Sequence, residues 1–596
     1  MYQKNKISTM LIVIAILQIL LPVLSVVFES GITSMSEAVE SGNWEYTINE
    51  DGNTITITEY NGTDADVVIP SNIDGYTVSI LGNGSLVSAE HGSFSVFYYS
   101  SYIKTIKLPN TIKRINSIAF YGCKNLTSIE LNEGLEIIEN QAFYGCEKLE
   151  KIIIPSTVNS IICNNELSPF YGCDELISIT VHSDNQYYSS VDGVLFNNNK
   201  TILMSYPSSK KDESYTVPES VEHIYGQAFN NSYIKYISIS QYTSAMEGNK
   251  FTDKYDNTSA ILGCTNLQSI TVDELNENYS SEDGILYNKD KSILLVYPSG
   301  KEENYYSIPN TVSSCKTINN SYIETIKLNS LINSAEFLMS ITNLKNIEVN
   351  SENTNYIQKD GVLFNKNGDE IIYYPQGREE PTYTIDENVV RIQSKAFMNS
   401  KIAEIDLPDS IVEIGSYAFY NCENLSKITI PNSVESIGDH AFYKCSNLAN
   451  VTIPNNIELI GDYTFYKCSN LEKIVIPSSV KRIGEYAFYN CVSLKELIFE
   501  ENSKIEEIGM DAFYNCDSLQ EVNIPEGITN IGTGFDDCDN LKIINIPSTV
   551  ENIKIYSFYG SYTSPQVITI YNDNPTISQR LGIFKSGLWS YSDKML

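Results

Sequence analysis

The stretch LSKITIPNSVESIGDHAFYKC, residues 425–445, is followed by LANVTIPNNIELIGDYTFYKC at 448–468 and LEKIVIPSSVKRIGEYAFYNC at 471–491. These are three copies of one phrase at a 23-residue interval, marked by Cys422, Cys445, Cys468 and Cys491. Weaker copies continue through Phe513, Phe535 and Phe558. Upstream the phrase is already present as Ala119-Phe120-Tyr121-Gly122-Cys123, Ala142-Phe143-Tyr144-Gly145-Cys146 and Phe170-Tyr171-Gly172-Cys173. A fixed period of this length is the signature of a repeat array. Within a unit Leu425, Ile428 and Ile430 end on a period of two, which suits a short strand closed by Pro431. Val434, Ile437 and Phe442 bring the chain back, and Gly438 permits a backbone geometry that a side chain would hinder. No helical stripe persists, so the return arm reads as extended or short 3₁₀ structure. The apolar side chains of one unit bury too little surface to offset the ordering of its backbone, so units must stack and cover one another. The expected fold is a β-rich solenoid, a continuous leucine-rich-repeat array rising about 5 Å per unit.

The unit Leu-x-x-Ile-x-Ile-Pro-x-x-Val-x-x-Ile-Gly-x-x-Ala-Phe-x-x-Cys resembles the BspA-type leucine-rich repeat family over about nine-tenths of the chain beyond its first segment. The resemblance implies a secreted or cell-surface protein of the kind that mediates protein–protein interaction, with adhesion to host or matrix components among the family's roles. It implies no ligand, because members share the scaffold and differ on the surface. The alternative reading is a structural envelope component without a specific ligand.

Composition bounds the partners. Across 596 residues, 40 Lys and Arg against 74 Asp and Glu leave a net charge of −34, which repels a phosphate backbone and disfavours anionic membrane surfaces. A hydrophobic content of 42% is that of a folded chain. Lys4 and Lys6 precede an apolar run from Met10 to Phe28, so residues 1–36 read as a signal peptide or N-terminal anchor that places the rest outside the cytoplasm, extracellular or at the cell surface. Contact with a membrane is then expected only through that segment, if it stays uncleaved. His91, His182, His223 and His440 are scattered without metal-ligand spacing, and no Ser/His/Asp or Cys/His arrangement or phosphate-cradling loop is present. No enzyme activity, metal or cofactor is expected.

Around the array, residues 37–98 read as an N-terminal cap with a first degenerate repeat, built on a hairpin at Asp51-Gly52. Residues 99–399 carry repeats with three hairpin inserts, 400–561 are regular repeats and 562–596 form a C-terminal cap. The inserts begin at Asp192-Gly193, Asp283-Gly284 and Asp360-Gly361 and end at Tyr206-Pro207, Tyr297-Pro298 and Tyr374-Pro375. Each reads either as a binding protrusion or as an extended repeat that packs on its neighbours. The polar stretch Gln241–Ser259 breaks the pattern as a loop or a ligand site.

Two columns follow from the phrase. Cys123, Cys146, Cys422, Cys445, Cys468, Cys491 and Cys516 share one place per unit, which predicts free, buried thiols, with Cys163 and Cys315 off the column. Tyr420, Tyr443, Tyr466, Tyr489 and Tyr514, preceded by Tyr121, Tyr144 and Tyr171, form either an exposed stripe for an extracellular protein or glycan, or a stacked structural ladder. On the strands Thr429, Thr452 and Val475 point outward and complete the candidate partner-binding set.

Overall fold

The computed structural model describes residues 39–83, 95–163, 168–246, 260–261, 263–529 and 531–550, the Thr317 side chain excepted, with the backbones of strands Val567–Asn572 and Gly587–Ser590. The signal or anchor segment lies outside the described residues, as do most of the Gln241–Ser259 stretch and most of the C-terminal cap. The chain divides into two compact units, Met1–Ile234 with Tyr242–Cys264, and Lys235–Gln241 with Thr265–Leu596.

Both units are β-solenoids in which each turn bonds to the next along three rails. The first rail is a parallel sheet of three- and four-residue strands. In the first unit Asp66–Val68, Thr105–Lys107 and Ser128–Glu130 pair in register. In the second unit Thr382–Thr384, Glu404–Asp406 and Lys427–Thr429 do the same, extended through bridges at Asn450 to Lys473. The second rail is made of two-residue strands, Arg114–Ile115, Ile137–Ile138 and Ser160–Ile161 in one unit and Arg391–Ile392, Glu413–Ile414 and Ser436–Ile437 in the other. The third rail is the corner that carries the Ala-Phe-Tyr phrase. There the amides of Tyr417, Phe419 and Asn421 donate to the carbonyls of Asp439, Ala441 and Tyr443 at 3.0, 2.8 and 2.7 Å, and the next turns repeat the pattern.

The return arm is extended where expected, in two-residue strands such as Ser436–Ile437, and the corner that follows it is a tight turn; among the described residues 3₁₀ helix is confined to Glu336–Ser340. Each corner holds two residues in the left-handed region, Tyr417 and Asn421, then His440 and Lys444, then Tyr463 and Lys467. In the first unit Gly122 and Gly145 take the second of these places. Gly438 has a different reason from a left-handed backbone: a Cβ there would stand 2.4 Å from the Ser416 backbone nitrogen, so the residue is glycine because successive turns touch.

Packing inside each unit is columnar. Phe397, Phe419, Phe442, Phe465, Phe488, Phe513 and Phe535 are buried and stack at centroid distances of 5.0 to 5.3 Å. All twelve cysteines are free. Each column thiol donates to the carbonyl of the previous turn's Phe, as Cys445 does to Phe419 at 3.2 Å and Cys468 to Phe442 at 3.3 Å. Cys173, Cys264 and Cys538 make the same bond and belong to the column as well. Burial pushes the Cys123 and Cys422 thiols up to about 12, so they stay protonated and unreactive.

At the N-terminal end Trp44–Ile48 and Thr54–Tyr60 pair antiparallel around Asp51-Gly52, and Thr54–Tyr60 continues parallel onto Tyr76–Leu81. The Asp-Gly phrases of the inserts form two-residue turns with both residues left-handed, as at Asp283 (φ 50) and Gly284 (φ 78). Tyr279–Glu282, Ile285–Asn288 and Ile293–Val296 make an antiparallel meander whose last strand rejoins the parallel rail at Ser314. Leu195, Leu286 and Leu363 of the three meanders are buried in the cores. A buried asparagine closes each meander's entry corner. The Asn353 amide nitrogen donates to the carbonyls of Asn329 and Ile332 at 2.8 and 3.0 Å, while its oxygen accepts from the amides of Asn355 and Tyr356 at 2.8 Å each. Asn185 makes the same four bonds to the first insert's surroundings.

Candidate interaction surface

The corner positions decide what the tyrosines do. Tyr420, Tyr443, Tyr466, Tyr489 and Tyr514 are half-buried and stack ring on ring, with centroids 4.5 to 4.9 Å apart and planes within 11°. In the first unit Tyr121, Tyr144 and Tyr171 stack at 4.6 and 5.1 Å. The rings form a stacked ladder: their faces are covered by neighbouring rings, and their edges are left at the half-buried corner. Covered faces leave no flat platform for a sugar ring, while an edge row offers hydrogen-bonding oxygen over apolar carbon.

A second ladder escaped the sequence reading. Tyr417, His440, Tyr463 and Tyr486 stack at 4.4, 4.6 and 4.7 Å, two residues before the Phe of each phrase. Their 23-residue spacing is a visible signal. The two ladders meet along the corner, Tyr463 lying 5.5 Å from Tyr466 and Tyr486 5.7 Å from Tyr489. Burial lowers the His440 pKa against the pull of Asp439 and Asp462, so its ring is neutral at pH 7. Burial and the flanking Tyr466 and Tyr420 push Tyr443 up to about 12.

Thr429 and Thr452 are exposed and Val475 is half-buried. The register Asp406↔Thr429 and Val475↔Ile498, with Asn450 bridged to Lys427 and Lys473, sets all of them in one row along the long-strand face. Ile498, 39% exposed, ends that row, and the first unit exposes Ile153 to 62% and Val68 to 70% on the same kind of face. The structure thus joins the strand residues to one another and the tyrosines to one another, on different segments of the turn. Ion pairs step from turn to turn beside them, such as Lys473–Glu496 at 2.7 Å and Lys481–Glu458 at 2.8 Å. Among the described residues no group of three or more His, Cys, Asp or Glu is arranged to hold a metal, and no helix is long and apolar enough to cross a membrane.

Stacked parallel turns, with one buried Phe, one buried Cys and one apolar strand in each regular turn, define a leucine-rich-repeat solenoid. The chain belongs to the BspA type leucine rich repeat family, whose model matches residues 93–212, 204–294, 381–491 and 458–585. Comparison with curated protein sequences gives no match. Among solved structures it is similar to a leucine rich cell surface protein from Faecalibacterium prausnitzii, with 24% identity, 78% of this chain and 96% of that one covered, and a TM-score of 0.29. It is also similar to the pneumococcal vaccine antigen PcpA, with 18% identity, coverage of 92% and 96%, and a TM-score of 0.23. A leucine-rich repeat protein from Bacteroides ovatus is 18% identical, with coverage of 88% and 90% and a TM-score of 0.22. The family assignment rests on the repeat match.

Proposed function

We propose that this is an exported, non-enzymatic protein that works at the cell surface or beyond it by holding other proteins, adhesion to host or matrix components included. The observation that carries the reading is the pairing of two regular strips on the second unit: the row Thr429, Thr452, Val475 and Ile498, and the tyrosine edges of the corner. A row of small hydroxyls and aliphatics on a rigid sheet suits a protein partner, since little side-chain entropy is lost on contact. The apolar run Met10–Phe28 supports export.

The test is surface plasmon resonance of the chain from residue 37 onward against a panel of extracellular matrix proteins, repeated with Thr429→Lys/Thr452→Lys/Val475→Lys. Binding by the wild type that the triple variant loses at least tenfold is expected. No binding across the panel, or a chain that protease treatment of intact source cells leaves uncut, overturns the reading.

A further inference from the structure

The corner ladders carry more than aromatic surface. Asp439, Asp462 and Glu485 stand one residue before the rings of His440, Tyr463 and Tyr486, and Asp511 and Asp537 continue the acidic border toward Tyr486, Tyr489 and Tyr514. Their negative charge is close enough to the phenols to raise the pKa of Tyr463 and Tyr486, after the larger effect of burial. The acid row is built into the fold: Asp439 Oδ1 accepts the Asp462 amide at 3.0 Å, and Asp462 Oδ1 accepts the Glu485 amide at 2.9 Å. One oxygen of Asp439 and one of Asp462 is fixed by the next turn, which orients these two groups along the ladder.

Few cations balance this border. Arg482 lies 3.8 Å from Asp462 and is shared with Glu507 at 3.3 Å. Lys444 and Lys467 hold their ammonium groups 5.7 and 5.3 Å from the ring centres of Tyr443 and Tyr466. The chain's own lysines therefore already rest against this aromatic edge. Phenol oxygens and carboxylates recurring at every turn accept hydrogen bonds and supply none of the positive charge an acidic ligand needs.

We propose that the acid-bordered tyrosine edge from Tyr417 to Tyr514 is a docking strip for a basic polypeptide segment, one presenting arginine or lysine side chains. The proposal rests on the reading above that the corner is a contact strip, and it names the partner's chemistry. Guanidinium groups donate to the free carboxylate oxygens and phenol hydroxyls, while their planar faces and methylene stems lie on the ring edges. Charge complementarity selects this occupant over a neutral glycan, which would need the covered ring faces.

The test titrates fluorescent deca-arginine, deca-glutamate and a neutral cello-oligosaccharide onto the chain from residue 37 onward at about 0.15 M salt. Asp439→Asn/Asp462→Asn/Glu485→Gln keeps the Asp439 and Asp462 oxygen acceptors for the next turn's amides and removes three charges. It is expected to weaken deca-arginine binding at least tenfold. A control that removes three charges elsewhere, Glu404→Gln/Asp406→Asn/Glu435→Gln, is expected to weaken it less than twofold. Tyr463→Phe/Tyr466→Phe/Tyr486→Phe keeps the stacks and removes hydroxyls, with a loss of about threefold expected and near-ultraviolet circular dichroism confirming the stack. Equal losses in the two charge variants, or oligosaccharide binding as tight as that of deca-arginine, overturn the proposal. Matrix binding that survives the corner variants while deca-arginine binding is absent would overturn this inference and leave the strand-face function standing.

Discussion

Within the second unit, the regular turns from Ile402 to Val550 and the insert-bearing stretch from Ile285 to Tyr373 satisfy the same backbone by different means. In the regular turns the corner is filled by apolar columns, and the Cys thiols take up the Phe carbonyls. In the insert-bearing stretch Cys315 is the one cysteine, and buried asparagines do the corner work. Asn320 donates to Pro298 and Lys301, Asn329 to Val312, and Asn353 to Asn329 and Ile332. A repeated corner can use a weak thiol donor because every turn offers the same carbonyl in the same place. A corner that changes direction for a meander leaves several unlike groups open, and a carboxamide, with two donors and an acceptor, closes them at once.

The comparison is broken most severely from the regular side. Phe442→Ala removes a fully buried ring that stacks on Phe419 and Phe465 at 5.3 Å, with an expected cost of about 4 kcal/mol. Because stability in a stack is a nearest-neighbour sum, hydrogen exchange read by mass spectrometry should accelerate in the turns on both sides of residue 442 and leave the meander at 356–373 protected. Asn353→Ala reverses the map. It strands two carbonyls and two amides, with an expected cost on the order of 3 kcal/mol and faster exchange from 329 to 374. If both variants opened the same residues, the two regions would be one cooperative body and the contrast would be void.

High pH should separate the regions by onset. Burial raises the thiols of the regular turns from 9.0, Cys422 to about 12, and Cys445 and Cys468 well above 9.0. A group whose folded pKa is raised holds its full stabilisation below the unfolded value and loses it as pH climbs toward the folded one. Each such thiol therefore withdraws about 1.4 kcal/mol per pH unit above 9. In the insert-bearing stretch the raised groups are mainly phenols, Tyr297, Tyr306 and Tyr373, whose loss starts from 10.0. Limited proteolysis with mapped cut sites at pH 7, 9.5 and 10.5 should find the first new cuts between 402 and 550, and Cys445→Ala/Cys468→Ala should delay them.

How far the sequence reached can be stated residue by residue. The 23-residue interval and the period of two before Pro431 carry the solenoid, because a stack needs the same burial in every turn. The cysteine column is legible for the same reason; Cys173 already stands in a copy of the phrase, while Cys264 and Cys538 lie where the phrase around them is degraded. The tyrosines after Phe were placed, but whether they stack or splay depends on the left-handed residues at 417 and 421, and no residue type announces those: Tyr, His, Asn and Lys all occupy them. That is why the Tyr417–Tyr486 ladder was missed. The asparagine clips left a faint signal, an Asn three residues ahead of a strand tyrosine at Tyr188, Tyr279 and Tyr356. Their burial comes from the neighbouring turn, which a local reading does not contain.

The smallest expected effect concerns the cations. Lys481 and Glu458 join consecutive regular turns at 2.8 Å with their side chains 48% and 67% exposed, so water screens them and holding two long side chains costs entropy. A double-mutant cycle with Lys481→Met and Glu458→Gln should give a coupling of at most about 0.5 kcal/mol, gone at about 0.5 M salt. Arg378, in the tail of the third insert, is a different case. Its side chain is 15% exposed, its guanidinium stands 5.2 Å from the Tyr374 ring centre and 3.4 Å from Glu380, and it also donates to the Asp360 carbonyl. Arg378→Met should cost about 1 to 2 kcal/mol and keep most of that cost in salt, since a covered cation over a ring is shielded from counter-ions. Equal salt sensitivity at the two sites would mean that Arg378 is held by charge alone, and the insert would then differ from the regular turns only in its asparagines.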